Sequence, residues 1–321
     1  MAVVIASRNR AARLGRLLDR LDLQTHQADE IVVVDDGSTD GTAALLSARP
    51  RVLVSRSEVS TGPAAARNRG ISLATSDVIA FTDDDCQPDE HWLARIVAAI
   101  DGGADVVLGR TVADEGAWSA RGPWDHWMVT EGADPMFSTC NIGYRRGLLE
   151  TLGGFDEAFR ATRGGAQWGE DTDLGLRAVD RGATVVYDEQ CVVEHDVVSR
   201  NWRAYCVAGL RRQGVAHLVK KHDEYRGHLE HEVFLNQAHA WAPLSLVGLA
   251  AGAVLGANMP LVGGLVASLG ALPYINFRTR VWPVATRRRS LVYVLPMLWV
   301  ADLLETFFVV AAALRSRVLV V

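Results

Sequence analysis

The stretch SDVIAFTDDDCQPDEHWL, Ser76 to Leu93, sets a short apolar run against three adjacent aspartates, Asp83, Asp84 and Asp85. Valine, isoleucine and phenylalanine in so short a run suit a strand buried on both faces of a sheet. Three carboxylates side by side repel one another and are poor strand formers, so they mark where that strand ends. Such a density of charge needs a cation, or a ligand rich in hydroxyls, to make it tolerable. Beyond the aspartates, PDEHWLARIVAAI predicts a well-capped amphipathic helix.

The same unit of strand, polar turn and helix recurs on both sides. VVIA (Val3–Ala6) is followed by a helical pattern with Leu14, Leu17, Leu18 and Leu21 on one face. EIVVVDD (Glu30–Asp36) leads through GSTDGT into a helix holding Ala43, Leu45 and Leu46. RVLVS (Arg51–Ser55), the helical GPAAARNRGISLA (Gly62–Ala74) and the strand ADVVLGR (Ala104–Arg110) complete the series. Strands alternating with helices predict right-handed crossovers and an α/β fold, with a mostly parallel sheet flanked by helices. Ligands of such sheets bind beyond the carboxyl ends of the strands. Asp35-Asp36 and Asp83-Asp84-Asp85 both sit at strand carboxyl ends and are expected to face one crevice.

The next hundred residues are less regular. STCNIGYRR (Ser138–Arg146) reads as a strand entering a short helix, and GGFDEAF (Gly153–Phe159) as a turn. A loop with Gly164 and Gly165, placed to order on ligand binding, precedes a helix from about Glu170 with Leu174, Leu176 and Val179 toward the core. ATVVYDEQCVVEHD predicts two short strands ending at His195 and Asp196, and Asn201–Lys221 a long basic helix.

The chain has 321 residues and a formal net charge of -5, which argues against a nucleic-acid coat. None of its four cysteines forms a CxxC pair, so they read as reduced thiols of a cytosolic domain. The apolar run at the N-terminus is too short for a signal-peptide core. Ala242–Phe277 carries no charged residue and predicts two closely packed helices broken near Asn258-Met259-Pro260. Arg278–Arg289 holds five arginines, and a last apolar segment is interrupted only by Asp302 and Glu305. The domains expected are residues 1–222, a linker over 223–241, and membrane-associated helices over 242–321. Positive-inside bias then puts the arginine-rich loop and the N-terminal domain on the cytoplasmic side of the cell membrane.

VVIASRNR, EIVVVDDGSTDGT, GPAAARNRGI, IAFTDDDCQPDEHWL, STCNIGYRR, GGFDE, WGEDTDLGLRAVDRG and VVEHD, in that order over about the first 200 residues, resemble the family 2 glycosyltransferases. The resemblance implies a GT-A fold, the Rossmann-like fold of nucleotide-diphospho-sugar transferases. It also implies transfer of a sugar from a nucleotide-sugar, usually with inversion and usually with Mn2+ or Mg2+. By the same resemblance Ala6, Ser7 and Arg8 would line the nucleotide pocket, Asp36 would contact the base, and Asp83 and Asp84 would join the donor site. Asp83 and Asp85 fit the DxD pattern, with Asp85 and His195 on the metal and Asp83 shared between ribose and metal. Asp171 would be the general base, with Glu170 as second candidate, and Arg211 or Arg212 would meet the diphosphate.

Elementary chemistry agrees. A nucleoside diphosphate leaves readily only when its charge is neutralised, and a divalent cation held by carboxylate and imidazole does that. An inverting displacement needs one base on the acceptor side, and a helix N-terminus is expected to keep Asp171 ionised. Taken singly, Asp35-Asp36 fits a turn, Glu170–Asp173 an acidic helix start, and His195 a structural histidine; the joint pattern carries the reading. The apolar C-terminal segment suggests a lipid-linked or membrane-proximal saccharide acceptor. A sugar nucleotidyltransferase and a catalytically silent membrane scaffold are the alternatives, and ASRNR lacks the glycine-rich first loop of the former. No QxxRW motif of processive synthases is present.

Overall fold

The computed structural model describes residues 1–120, 122, 124–133, 136–159, 168–231, 233, 237–281 and 288–321. They form two compact units, Met1–Trp118 with His126–Val198, and Ser119–Asp125 with Ser199–Val321. The main break between these units lies at Val198–Ser199, and the basic stretch after it groups with the apolar helices.

The first unit is built on eight strands: β1 (Ala2–Ser7), β2 (Glu30–Asp35), β3 (Val52–Arg56), β4 (Val78–Phe81), β5 (Cys86–Pro88), β6 (Val106–Ala113), β7 (Ile142–Arg145) and β8 (Val185–His195). Its helices are α1 (Ala11–Asp22), α2 (Thr42–Ser47), α3 (Pro63–Leu73), α4 (Trp92–Asp101), α5 (Glu115–Ala120), α6 (Arg146–Leu152) and α7 (Glu170–Asp180). The sheet order is β3-β2-β1-β4-β7-β6-β8-β5. β7 runs against both its neighbours and β5 against β8, while the other pairings are parallel. The expected mostly parallel sheet is therefore present, with two short reversed strands.

Alternation along β1 shows why helices cover both faces. Val3 and Ile5 pack with Leu14, Leu17, Leu18 and Leu21 of α1 and with Trp92, Leu93 and Ile96 of α4. Ala2 and Val4 pack on the other face with Ala64 and Ala66 of α3, Leu149 of α6, and Leu174 and Ala178 of α7. Successive residues of a strand point to opposite faces, so an all-apolar strand requires two helical layers. In α7, Val179 is 47% exposed and Leu176 only half-buried, contrary to expectation. Ala178 lies four residues after Leu174, on the same helical face, and takes the core position instead. The cap of α4 is also less local than expected: the Leu93 N–H donates to Gln24 Oε1 at 3.0 Å, from the end of α1.

The two strands expected before His195 are one. β8 follows β6 in parallel register, loses it between Gly109 and Arg110, and resumes it as far as Ala113↔His195. Asn141 repairs that bulge. Its Nδ2 donates to the Arg110 and Cys191 carbonyls at 2.9 and 2.8 Å, and its Oδ1 accepts from Trp92 Nε1 at 2.8 Å.

In the second unit the expected long basic helix is α8 (Trp202–Gly209) and α9 (Gly214–Lys221), parted by a 3-10 turn over Leu210–Gln213. Glycine at each side of the turn, Gly209 and Gly214, weakens a continuous helix there. α10 (Gln237–Gly256) and α11 (Pro260–Val281) form the expected pair broken before Pro260, and α12 (Arg288–Ser316) follows. A Cβ on Gly252 would lie 2.6 Å from Ala267 Cβ and 2.7 Å from the Gly263 carbonyl oxygen, so only glycine allows this approach of α10 to α11. Among the described residues, two helices are long and apolar enough to cross a bilayer, Gln237–Gly256 and Val294–Ser316. Asp302 and Glu305 are buried: Tyr274 Oη donates to Asp302 Oδ2 at 2.7 Å, and Arg212 Nη1 to Glu305 Oε1 at 2.5 Å.

Asn141→Ala would leave the buried Trp92 indole N–H without its acceptor and take a donor from the buried Cys191 carbonyl and the part-buried Arg110 carbonyl. Each such group costs about 1–3 kcal/mol, so a loss of about 2–4 kcal/mol is expected after partial relaxation. A denaturant titration of the purified chain followed by tryptophan fluorescence checks it; an unchanged midpoint would remove Asn141 from this role.

Candidate active site

β1, β2 and β4 run parallel, so the loops that follow them meet at one end of the sheet. Asn9, in the first loop, adopts a left-handed backbone conformation with φ 55°, which asparagine tolerates better than most residues. Its N–H donates to Ser38 Oγ at 2.9 Å and its Oδ1 accepts the Thr39 N–H at 2.7 Å. The loops after β1 and β2 are thereby tied together, with exposed Arg8 and half-buried Ala6 beside the joint. Both acidic clusters thus lie at the same end of the sheet, beyond the carboxyl ends of β2 and β4.

The carboxylates differ in their surroundings. Asp36 accepts from Ser60 Oγ at 2.6 Å, from the Thr61 N–H at 2.6 Å and Oγ1 at 2.9 Å, and from the Gly62 N–H at 3.0 Å. Burial opposes its charge, but these bonds outweigh burial and hold its pKa below the ordinary range. Both its oxygens therefore shape the turn into α3. Asp35, just before it, is buried and accepts the Ser38 N–H at 2.8 Å.

Asp84 accepts from Ser7 Oγ at 2.7 Å and from Arg10 Nη1 at 2.9 Å. Burial pushes its pKa up to about 6, with Asp85 adding to the rise and Arg10 opposing it. Asp85 also accepts from Arg10 Nη1 and lies opposite His195, whose Nε2 is 3.6 Å from its Oδ1. Burial again opposes the charge, but His195 and Arg10 hold Asp85 below the usual carboxylate range. Asp83 accepts from Arg67 Nη2 at 2.9 Å and is one-third exposed.

β5 brings His195 to this cluster. It pairs with β8 so that Cys86 stands opposite His195, and the Asp196 N–H donates to the Asp85 carbonyl at 2.8 Å. His195 Nδ1 lies 2.7 Å from the Asp196 carbonyl oxygen. A carbonyl only accepts, so Nδ1 carries a proton, and Nε2 is the nitrogen left to face Asp85. Asp85, Cys86 and His195 each bring a donor atom within 4.8 Å of the others. Burial raises the Cys86 thiol well above its ordinary pKa, with Cys140 beside it, so the thiol stays protonated. The donor set for a hard cation is therefore a carboxylate and an imidazole nitrogen, which fits Mn2+ or Mg2+. Asp83 does not join this group.

Arg67 sits on the inner face of α3 and is buried. It donates through Nη2 to Asp83 and through Nη1 to Glu170 Oε1 at 3.1 Å, with its Cζ 5.6 Å from the Phe155 ring centre. Asn68 beside it pins the GGFDE turn: its Nδ2 donates to the Phe155 carbonyl at 2.9 Å, and its Oδ1 accepts the Phe155 N–H at 2.8 Å. α7 starts from Gly169, whose φ of 93° only glycine adopts readily, and so aims Glu170 and Asp171 at the site end of the sheet.

Asp171 is not held ionised by the helix terminus as expected. Burial, with Glu170 next to it, lifts its pKa to about 8 against the pull of Arg67. Burial raises Glu170 as well, although Arg67 lies on it. A helix end contributes only about half a charge, less than burial beside a second carboxylate.

Arg212 belongs to the second unit, where it binds Glu305. Trp168 is half-buried ahead of Gly169, and the loop glycines Gly164 and Gly165 lie outside the described residues. Sequence reasoning passed over Arg10 and Arg67. The available signal was an arginine on the buried face of GPAAARNRG, which needs an anion opposite it.

The family described as Glycosyl transferase family 2 matches residues 2–153, from β1 through α6. The pre-mycofactocin glycosyltransferase of Mycobacterium tuberculosis is 31% identical over 221 residues, covering 64% of this chain and 44% of that protein. Glycosyltransferase AglE of Haloferax volcanii is 28% identical over 211 residues, covering 62% of this chain and 65% of that one. The chain thus spans less than two thirds of the length of either relative. Among solved structures, the mannosyltransferase PcManGT from Pyrobaculum calidifontis, in complex with GDP-Man and Mn2+, aligns with a TM-score of 0.62 at 22% identity. That alignment covers 98% of this chain and 86% of that one, and it bears out the GT-A fold. Residues 2–153, just under half of the chain, are thus the part that carries the likeness to glycosyl transferase family 2.

Proposed function

We propose that the chain transfers a sugar from a nucleotide-diphospho-sugar, with inversion and with Mn2+ or Mg2+, to a hydroxyl or phosphate of a lipid-linked or membrane-proximal saccharide. The observation that carries the reading is Arg67, which bonds Asp83 on the donor side and Glu170 beside the candidate base. One guanidinium then fixes the two halves of a displacement reaction relative to each other.

In this reading Ser7 and Arg10 orient Asp84, and Asp85 with His195 Nε2 would hold the metal. The metal, when bound, neutralises charge on the departing diphosphate, as Mn2+ accompanies GDP-Man in the archaeal mannosyltransferase. Ala6, Ser7, Arg8, Asp36, Asp83 and Asp84 border the nucleotide, with Asp36 acting through the turn at Ser60–Gly62. Asp171 takes the proton from the acceptor hydroxyl as the bond to the sugar forms on the face opposite the leaving group. A pKa near 8 makes it a stronger base than an ordinary aspartate, at the expense of being partly protonated at neutral pH. The apolar helices support an anchor in the cell membrane, with the catalytic unit toward the cytoplasm.

Calorimetric titration of the detergent-solubilised chain with UDP, GDP and dTDP, each with and without Mn2+, tests the donor. One nucleotide should bind, and only with the metal; folded protein that binds none would contradict the reading.

Asp171→Asn should retain that binding and lose transfer by at least about a thousandfold, on the scale of a general base's contribution. In the wild type, kcat/KM should climb with pH and level off above about 8. The same group predicts a stability effect. A carboxyl whose folded pKa is raised supports the fold when protonated, and that support is lost as pH rises through about 8. The melting temperature of Asp171→Asn minus that of the wild type should therefore grow from pH 5 to pH 9. A constant difference would mean that Asp171 is ionised throughout.

A further inference from the structure

We propose that Arg10 is a displaceable counter-cation: it holds Asp84 and Asp85 together before metal binding, is released from Asp85 by the divalent ion, and then meets the diphosphate of the donor. This inference rests on the glycosyltransferase reading given above.

A single nitrogen carries the first part. Arg10 Nη1 donates to Asp84 Oδ1 at 2.9 Å and also to Asp85 Oδ2. The same Asp85 faces His195 Nε2 through its other oxygen. An ion taken up by Asp85 and His195 therefore arrives at a carboxylate already neutralised by a guanidinium. A dication repels that guanidinium and competes with it for the same lone pairs.

Arg10 is placed to move. Its side chain is 34% exposed, whereas those of Asp84 and Asp85 are each only 6% exposed, so the cation yields more readily than the carboxylates. It lies immediately before α1, in the loop that leaves the carboxyl end of β1, where nucleotides bind in sheets of this kind. The next arginines of α1 are otherwise engaged: Arg13 Nε and Arg16 Nη2 lie 3.1 and 2.5 Å from Asp196 Oδ2. Of these three, Arg10 alone touches the metal-binding aspartate. Once off Asp85 it is a forked cation beside a dianion, and guanidinium binds phosphate oxygens bidentately. Metal and donor would then bind cooperatively, because the metal frees the arginine that the donor uses.

The test measures binding of Mn2+ alone, and of the nucleoside diphosphate preferred among UDP, GDP and dTDP at saturating Mn2+. It compares the full-length wild type with Arg10→Gln and Arg10→Lys. Removing a competitor should tighten Mn2+ binding by about threefold or more. Losing the phosphate contact should weaken nucleotide binding by about tenfold. Lysine keeps the charge but cannot form the fork, so it should show both changes with smaller size, and it carries the test if the glutamine variant does not fold. Unchanged or weaker Mn2+ binding in the variants, with the wild type binding both ligands, overturns the displacement and leaves the glycosyltransferase reading standing. A folded wild type that binds neither ligand overturns both.

Discussion

The structure depends on neutralising carboxylates that the sheet gathers at one end. Asp83, Asp84, Asp85, Glu170 and Asp171 crowd there, and two guanidinium groups, Arg10 and Arg67, are bonded among them. The balance is incomplete: burial lifts Asp84 to about 6 and Asp171 to about 8, while Asp85, between His195 and Arg10, stays low. Removing one partner of a buried ion pair typically costs about 3–5 kcal/mol, so Arg67, buried against Glu170, is as much a part of the fold as of the site, whereas Arg10 is one-third exposed and yields more readily. That shared duty explains how residues distant in sequence, Arg67 and Glu170 among them, keep a fixed geometry.

Several elements were legible in the sequence for simple reasons. β1, β2 and β4 are short apolar runs ending in polar turns, and α1 shows its buried face as four leucines. The clusters Asp35-Asp36 and Asp83-Asp84-Asp85 announced the site, because so much charge at the end of a buried strand needs a counter-charge or a polar ligand beside it. What stayed hidden depends on long-range contact. β5 is three residues long, with no periodicity to detect, yet it carries the Asp85 end of the cluster to His195. The continuity of β8 depends on the Asn141 side chain bridging a bulge, which no local pattern records. The rise of the Asp171 pKa depends on burial, and an acidic helix start reads in sequence as an ionised one.

The second unit follows a related logic in apolar surroundings. Charged residues inside membrane-type helices are costly and pair with one another. Asp302 and Glu305, which interrupt the last apolar segment in sequence, are held by Arg278, Tyr274, Arg212 and His239. α10 and α11 approach through glycine at Gly252 and Gly263, a contact fixed by shape.

We propose that Asp85 and His195 hold one divalent ion at a nucleotide-sugar site. Anomalous diffraction from crystals grown with Mn2+ and the nucleoside diphosphate that binds tests it most directly. A single manganese peak is expected, bonded to an Asp85 oxygen and His195 Nε2 and touching the diphosphate. Bound nucleotide with no manganese there, or with the ion held by other residues, would contradict it.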